Sequence, residues 1–488
     1  MIDINWKPNK NSSRTLYRQI VDYIISEISS GNFAIGTKIP SQRKLAEIFE
    51  VNRSTIVEAL DELKGRGLIE GNKGGGTTII NNTWSLLSSK PELNWKNYIE
   101  GSIHKPNLRT IQMVNKLEYE ENIIRLGTGE PGPDLFPRHM MNKVLNRCLN
   151  RITSLGYLEA KGLLELRQVI SKYIKKYGIQ IPPSSILIVS GALQALQLIS
   201  LALLPPGSKI LVEDPSYLKS LHIFQSLGMN LTGLKMDGEG IIPEEIQKNV
   251  GKNAAKMLYT IPTFNNPTGI VMSEKRRMKI LKCCGDLRIP IVEDDVYREL
   301  WIEKSPPMPL KSRDKNGNVL YLGSISKCLA PGFRIGWVAG PESVIERLAD
   351  IKMQTDYGSS SISQMMLTEW ISSGLYEEHL KEFRRKLKFR RDKTIEILKD
   401  NFKDIASWNI PQGGFYIWLK LNSNISINKL FQESIKEKIL INPGSMYSFS
   451  NNQNLRISYS YASIDQMEMG LKKLSHIIRK LEKEQNSC

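Results

Sequence analysis

Six short apolar runs, each closing on polar or small residues, recur between Ile123 and the C-terminus. They are ILIV (186–189), KILVEDP (209–215), KMLYTIP (256–262), IPIVEDDVY (289–297), NVLYLGS (318–324) and IGWVAG (335–340), and helix-length stretches separate them. An apolar run of this length, bounded by turn signals, is the mark of a strand buried on both faces. Alternation with helices then predicts an α/β domain around a mostly parallel sheet. Ligand groups in such sheets gather at the carboxyl ends of the strands and in the loops that follow.

At 488 residues the chain exceeds what one ordinary hydrophobic core serves, so two or three domains are expected. The five cysteines, at 148, 283, 284, 328 and 488, show no CxxC spacing. Neither a zinc module nor a disulfide scaffold is indicated, no metal is expected, and a reducing cytoplasm is the expected compartment. The opening MIDINWKPNK lacks the apolar core of a signal peptide. Residues 186–204, ILIVSGALQALQLISLALL, carry no charge over a membrane-spanning length. The Ser-Gly break and the glutamines at 194 and 197 read instead as a buried strand, a turn and a packed helix, so no membrane partner is expected.

The formal net charge of +17 invites a nucleic-acid partner, but its distribution does not settle the matter. Residues 1–80 hold 11 basic side chains against 9 acidic ones, whereas residues 123–488 hold 51 against 36. The run KEFRRKLKFRRDK reads as a solvated helix face. A case for DNA must therefore rest on pattern.

The pattern lies in residues 1–80. Leu16, Ile20, Ile24 and Ile28 are spaced four apart, which is a helical stripe. A turn rich in Gly and Pro leads to Ser41 as N-cap of a short helix carrying Leu45, Ala46 and Phe49. A third helix follows, with Asn52 as its expected cap and Ile56, Leu60 and Leu63 on its buried face. Arg53, Ser54 and Thr55 occupy the exposed first turn of that helix, where a recognition helix meets base edges and phosphates. LIEGNKGGGTTII (68–80) is two short strands around a glycine-rich tip, and its Lys73 and Thr77 can contact a phosphate strand. The order of helix, Pro-Ser-x-Arg, helix, Arg-Ser-Thr and hairpin resembles the winged helix-turn-helix of GntR-type regulators. That resemblance implies that Arg43 and Arg53 touch DNA. Residues 81–122 have no clear period and read as a linker with at most one short helix, leaving 123–488 as the large domain.

The chemistry of the large domain centres on LGSISKCLAPGFRIG (322–336). Lys327 sits there among small and apolar neighbours, and a lysine condenses with an aldehyde only as the free amine, which such a site favours. Ser324 and Arg334 bracket it with the hydroxyl and guanidinium that a phosphate needs. Ser190, Gly191 and Ala192, at a strand-to-helix turn, add a hydroxyl and backbone N–H groups for an anion. An aldehyde that carries a phosphate and a basic ring nitrogen is pyridoxal phosphate. Asp294 can be the carboxylate that keeps this nitrogen protonated.

From Ile123 to the C-terminus the chain resembles fold-type I aminotransferases, with a mostly parallel large domain and a smaller α+β domain. The resemblance implies that Lys327 is the Schiff-base lysine, Asp294 the partner of the pyridinium, and Asn266 and Tyr297 the ligands of the ring oxygen. It implies that Tyr217 stacks on the ring and that Ser190, Gly191, Ala192, Ser324 and Arg334 hold the phosphate. Tyr157, in LGYLEAKG, looks like the tyrosine that reaches a partner subunit's phosphate, and Arg456, in NLRISYS, like the arginine that grips a substrate α-carboxylate. Ala160 and Leu193 depart from the patterns common in that family.

A GntR-type winged helix joined to such a domain resembles the MocR/GabR-type regulators. The resemblance implies a head-to-tail homodimer on a double-stranded operator, responding to an amine, an amino acid or pyridoxal phosphate itself. A working aminotransferase with an accessory winged helix carries the same residues, and so does a pocket that binds its ligand without covalent chemistry. Whether transamination turns over stays open at this point.

Overall fold

The protein is described by a computed structural model covering residues 4, 6–29, 32–33, 36–72, 76–80, 109–152, 154–249, 255–450 and 452–486. The chain divides into two compact units, Met1–Ile103 and His104–Cys488.

In the first unit, helices α1 (Leu16–Ser29), α2 (Gln42–Phe49) and α3 (Arg53–Gly65) surround one small core. Ile20, Ile24 and Ile28 of the expected stripe are buried against Leu45, Phe49, Ile56, Leu60 and Leu63. Trp6 stacks on Tyr23, with ring centroids 4.5 Å apart. Ser41 caps α2 by accepting from Lys44 N. Asn52 takes the N-cap position of α3 with extended backbone, but its side chain makes no capping bond, and its carbonyl accepts from Thr55 N instead. Strands β1 (Lys38–Ile39), β2 (Ile69–Asn72) and β3 (Gly76–Ile79) form an antiparallel sheet ordered β1-β3-β2. This is the winged hairpin read from the sequence. Its tip, with Lys73, lies outside the described residues.

The expected linker lies outside the described residues from 81 to 108. From Arg109 to Leu117 the chain is a helix that buries Ile111 and Val114, three apart on one face, in the core of the second unit. The folded second unit therefore starts before Ile123.

That unit is built on an eight-stranded sheet. Its strands are β5 (Ile186–Val189), β6 (Lys209–Asp214), β7 (Asn230–Asp237), β8 (Gly240–Ile241), β9 (Met257–Thr260), β10 (Ile291–Asp294), β11 (Val319–Ser324) and β12 (Gly336–Ala339), following a short β4 (Ile124–Arg125). The spatial order is β5-β12-β11-β10-β9-β6-β7-β8. All six apolar runs are strands of this sheet, and each residue of β5, β9, β10, β11 and β12 is buried. Pairing is parallel from β11 through β7, whereas β12 runs antiparallel to both of its neighbours. β7 was not among the expected strands, because half of its residues face solvent and no continuous apolar run marks it. The uncharged stretch 186–204 is β5, a turn and the helix Ala192–Leu203, and no helix among the described residues is long and apolar enough to cross a membrane.

The smaller part has an antiparallel sheet ordered β13-β14-β17-β16, from β13 (Ala406–Trp408), β14 (Tyr416–Leu421), β16 (Asn442–Pro443) and β17 (Asn454–Ser458). β15 (Ile439–Leu440) pairs in parallel with β4. The helices Leu375–Phe402 and Ile464–Asn486 pack on one another and belong to the larger core of this unit, while Leu211, Leu258, Ile280, Ile291 and Val319 belong to a second, smaller one.

Candidate functional site

The direction of β12 assembles the site. Six strands, β5 and β6 among them, point the same way, so Asp294 and Ser324 lie at, and Ser190, Tyr217 and Asn266 follow, carboxyl ends on one edge of the sheet. Because β12 runs the other way, its amino end faces that same edge. Gly336 lies in register with Ser324 on one side and Val189 on the other. Arg334, two residues earlier, is thereby set beside Ser190.

At that corner Arg334 adopts left-handed backbone, φ +51°, and its exposed guanidinium donates to the Ser190 carbonyl at 2.8 Å. It lies directly over Gly191. A Cβ on Gly191 would fall 2.8 Å from the Arg334 Nη2, and the Gly191 φ of +90° also disfavours a side chain. Gly191 is the N-cap of the helix Ala192–Leu203 and has no side chain to cap it. The first N–H groups of that helix, from Gly191 and Ala192 onward, lack intrahelical acceptors. The Ser190 Oγ bonds Ser359 at 3.2 Å. Ser324 Oγ bonds the Ile335 carbonyl and Ser326 Oγ, each at 3.0 Å. A guanidinium, hydroxyls and a helix N-terminus thus line one small corner, which is the donor set of a phosphate site.

Lys327 follows in the turn after β11. It is half-buried, and its Nζ donates to the Gly129 carbonyl at 2.8 Å. Asp294 is buried, and Tyr259 Oη donates to it at 2.7 Å. Burial pushes the Asp294 carboxyl up to about 6, opposed by the Tyr259 hydrogen bond, the Val296 N–H and the charge of Lys327. No basic side chain makes an ion pair with Asp294 among the described residues. A buried carboxylate without a cation fits a ligand that brings its own, such as a protonated ring nitrogen.

A chain of polar contacts leads from there into the small sheet. Asn266 Nδ2 donates to Tyr297 Oη at 3.2 Å, and Asn266 Oδ1 accepts from Arg456 Nη1 at 2.9 Å. Arg456 Nη2 donates to the Gly127 carbonyl at 2.6 Å. The guanidinium is buried between the rings of Tyr416 and Tyr447, 4.2 and 4.7 Å from their centroids, and its Nε has no partner. Nearby, Asn442 Oδ1 is likewise buried and unpartnered. Tyr217 lies near enough to Arg456, Tyr447 and Tyr297 to influence their charge.

The sequence reading missed several members of this cluster: Tyr259, Gly129, Ser326, Ser359, Tyr416, Asn442 and Tyr447. Ser326 was legible, since it is the second serine of SISK. Tyr259, Tyr416 and Asn442 enter on strands, Gly129, Ser359 and Tyr447 in the connections between elements, and none carries a motif. Tyr157 does not join the cluster. It is 84% exposed and its ring contacts Tyr357 at 4.9 Å.

In the first unit, Arg43, Arg53 and Ser54 are exposed, and Thr55 and Thr77 half-buried. Arg53 Nη2 donates to Gln42 Oε1 at 3.3 Å, which ties the start of α3 to the start of α2.

The second unit has the fold of a fold-type I aminotransferase. A crystal structure of Pyrococcus horikoshii kynurenine aminotransferase, in complex with PMP, superposes with a TM-score of 0.74 at 30% identity, over 80% of this chain and 98% of that one. Residues 121–474 match the family of class I and II aminotransferases, and residues 16–79 match the gntR family of bacterial regulatory proteins. The uncharacterized HTH-type transcriptional regulator YisV of Bacillus subtilis is 51% identical over 476 residues, 98% of each chain. The HTH-type transcriptional regulator NorG of Staphylococcus aureus is 35% identical over 448 residues, 91% of this chain and 100% of its own. The protein belongs to the MocR/GabR-type branch of the GntR regulators, in which a winged helix is fused to a class I and II aminotransferase domain.

The state of Asp294 has a consequence for stability. Its folded-state pKa is raised, so ionisation opposes folding: the cost is absent below about pH 4 and complete above about pH 6. Asp294→Asn should therefore stabilise the cofactor-free chain at pH 8 by up to about 3 kcal/mol, with the advantage gone in acid. Thermal melts at several pH values read this directly. Equal melting temperatures at pH 8 would contradict it.

Proposed function

We propose that this protein is a transcriptional regulator whose aminotransferase-type domain binds pyridoxal phosphate and senses an amine or amino acid. The carrying observation is convergence: Lys327, Asp294, Asn266, Tyr297 and Arg456 meet in one cluster of a chain that also bears a winged helix.

Bound pyridoxal phosphate would supply an electron-withdrawing ring and an aldehyde open to exchange between amines. Lys327 is the amine placed to condense with it. Asp294 balances the charge of a protonated ring nitrogen in a site too dry to do so with water. Asn266 and Tyr297 are donors to the ring oxygen. Arg334, Ser190, Ser324 and the backbone of Gly191 and Ala192 hold the phosphate, and Tyr217 covers the ring. Arg456 is the buried cation to which an effector's carboxylate binds, and its unpartnered Nε supports that role.

The exposure of Tyr157 supports a further element of the reading. A tyrosine exposed on its own chain can serve a partner's site, as a head-to-tail homodimer requires. In the winged helix, Arg43, Arg53, Ser54, Thr55, Lys73 and Thr77 contact an operator of two half-sites on one face of the duplex. Such a regulator works in the cytoplasm.

Two variants test the two halves. Lys327→Ala should leave a folded chain that stays colourless with pyridoxal phosphate and from which borohydride fixes no cofactor. Colour reducible onto another lysine contradicts the assignment. Arg53→Ala should weaken binding to a site selected from random DNA by roughly 1–3 kcal/mol and relax preference at one position. Undiminished binding would remove Arg53 from the interface.

A further inference from the structure

Tyr416 has no part in the site as read from the sequence, yet its hydroxyl lies inside it. Its Oη is 3.1 Å from Tyr297 Oη and has no other hydrogen-bond partner among the described residues. A Cβ on Gly129 would fall 2.2 Å from that hydroxyl, and Gly129 is the residue whose carbonyl accepts from Lys327. The hydroxyl thus sits between the lysine's anchor and the ring-oxygen donor. Its position is rigid. Tyr416 opens β14, paired with Ser458 of β17, is buried, and meets the Tyr297 ring edge-on at 5.8 Å.

Proton counting fixes the direction of the contact. Asn266 Oδ1 accepts from Arg456, so the Asn266 amide must present Nδ2 to Tyr297, and Tyr297 Oη is an acceptor there. Tyr297 has one proton. It can give that proton to Tyr416 or keep it for a ligand in the pocket. With an anionic oxygen in the pocket the second choice wins, since a charge-assisted hydrogen bond is about twice as strong as one between neutral groups. Tyr416 must then be the donor in the pair.

We propose that Tyr416 is a positioning residue: its hydroxyl donates to Tyr297, so that Tyr297, accepting from both Asn266 and Tyr416, gives its own proton to the ring oxygen of pyridoxal phosphate bound at Lys327. This rests on the cofactor reading above and goes beyond it. Burial holds the Tyr297 phenol well above its usual range, so it remains a protonated donor at neutral pH. Arg456, Tyr217 and Tyr447 face this pair from neighbouring elements, with Tyr259, Asp294 and Lys327 beyond. Tyr416→Phe alters none of them, and it keeps the ring on Arg456.

The readout is the colour of the bound cofactor. A ring oxygen that receives a strong hydrogen bond shares its charge and holds the proton of the neighbouring lysine linkage less tightly. Without Tyr416 the Tyr297 bond loses its cooperative strengthening, the proton is held more firmly, and the pH midpoint of the colour change rises. Absorbance titration of the loaded full chain should show a rise on the order of 0.5 unit in Tyr416→Phe. Tyr297→Phe should shift the midpoint further in the same direction, and adding Tyr416→Phe to it should add nothing, because the effect passes through Tyr297. A coloured Tyr416→Phe protein with an unchanged midpoint, or equal shifts with and without Tyr297, overturns the proposal while leaving the cofactor reading intact. A wild-type chain that takes up no colour overturns both.

Discussion

The register of β12 is the constraint on which the site depends. One strand inserted against the direction of its neighbours, with Gly336 facing both Ser324 and Val189, brings the two ends of one short segment to the same edge. Lys327 leaves from β11 and Arg334 enters β12, so a lysine and an arginine seven residues apart flank one corner. Gly336 itself has no room for a side chain, since a Cβ there would meet the Gly323 carbonyl at 2.9 Å and the Gly191 backbone at 3.3 Å. The corner is therefore a product of backbone packing, and its side chains are additions to that frame.

The second element is the electrostatic imbalance of the pocket. Asp294 is buried with a hydroxyl and an N–H partner but no ion pair among the described residues, and Arg456 is buried among tyrosines, an amide and a carbonyl but no carboxylate. Each is a charge kept out of water without its counter-ion, which costs stability. Folded chains tolerate such costs at sites where ligands offset them. The two uncompensated charges have opposite sign, which suits a ring cation for one and an effector anion for the other.

Much of this was legible in the sequence where a single segment carries the information. The six strands of the large sheet announce themselves because burial on both faces demands uninterrupted apolar runs. β7 escaped because half of its residues are exposed and only Leu234 is buried. SISK with Arg334 marked the segment whose two ends meet beside Ser190, and an order of short signals marked the winged helix. What stayed hidden depends on pairings between distant segments. Tyr416, Asn442 and Tyr447 surround Arg456 because β14 and β16 flank β17, and no residue type in GGFYIW or INPGSMY declares that. Asn52 looked like a capping side chain, yet the backbone satisfies the turn without it.

The central claim is that one chain couples a pocket holding pyridoxal phosphate to a DNA-binding domain. It is tested most directly by measuring affinity for a DNA site selected by the protein itself, with pyridoxal phosphate and each common amino acid in turn, for the wild type and Arg456→Ala. The account predicts that at least one amino acid changes wild-type affinity by about 5- to 150-fold. It predicts that Arg456→Ala keeps the cofactor's colour and the ligand-free affinity while losing that response. Affinity indifferent to every combination, or a variant that responds as the wild type does, would contradict it.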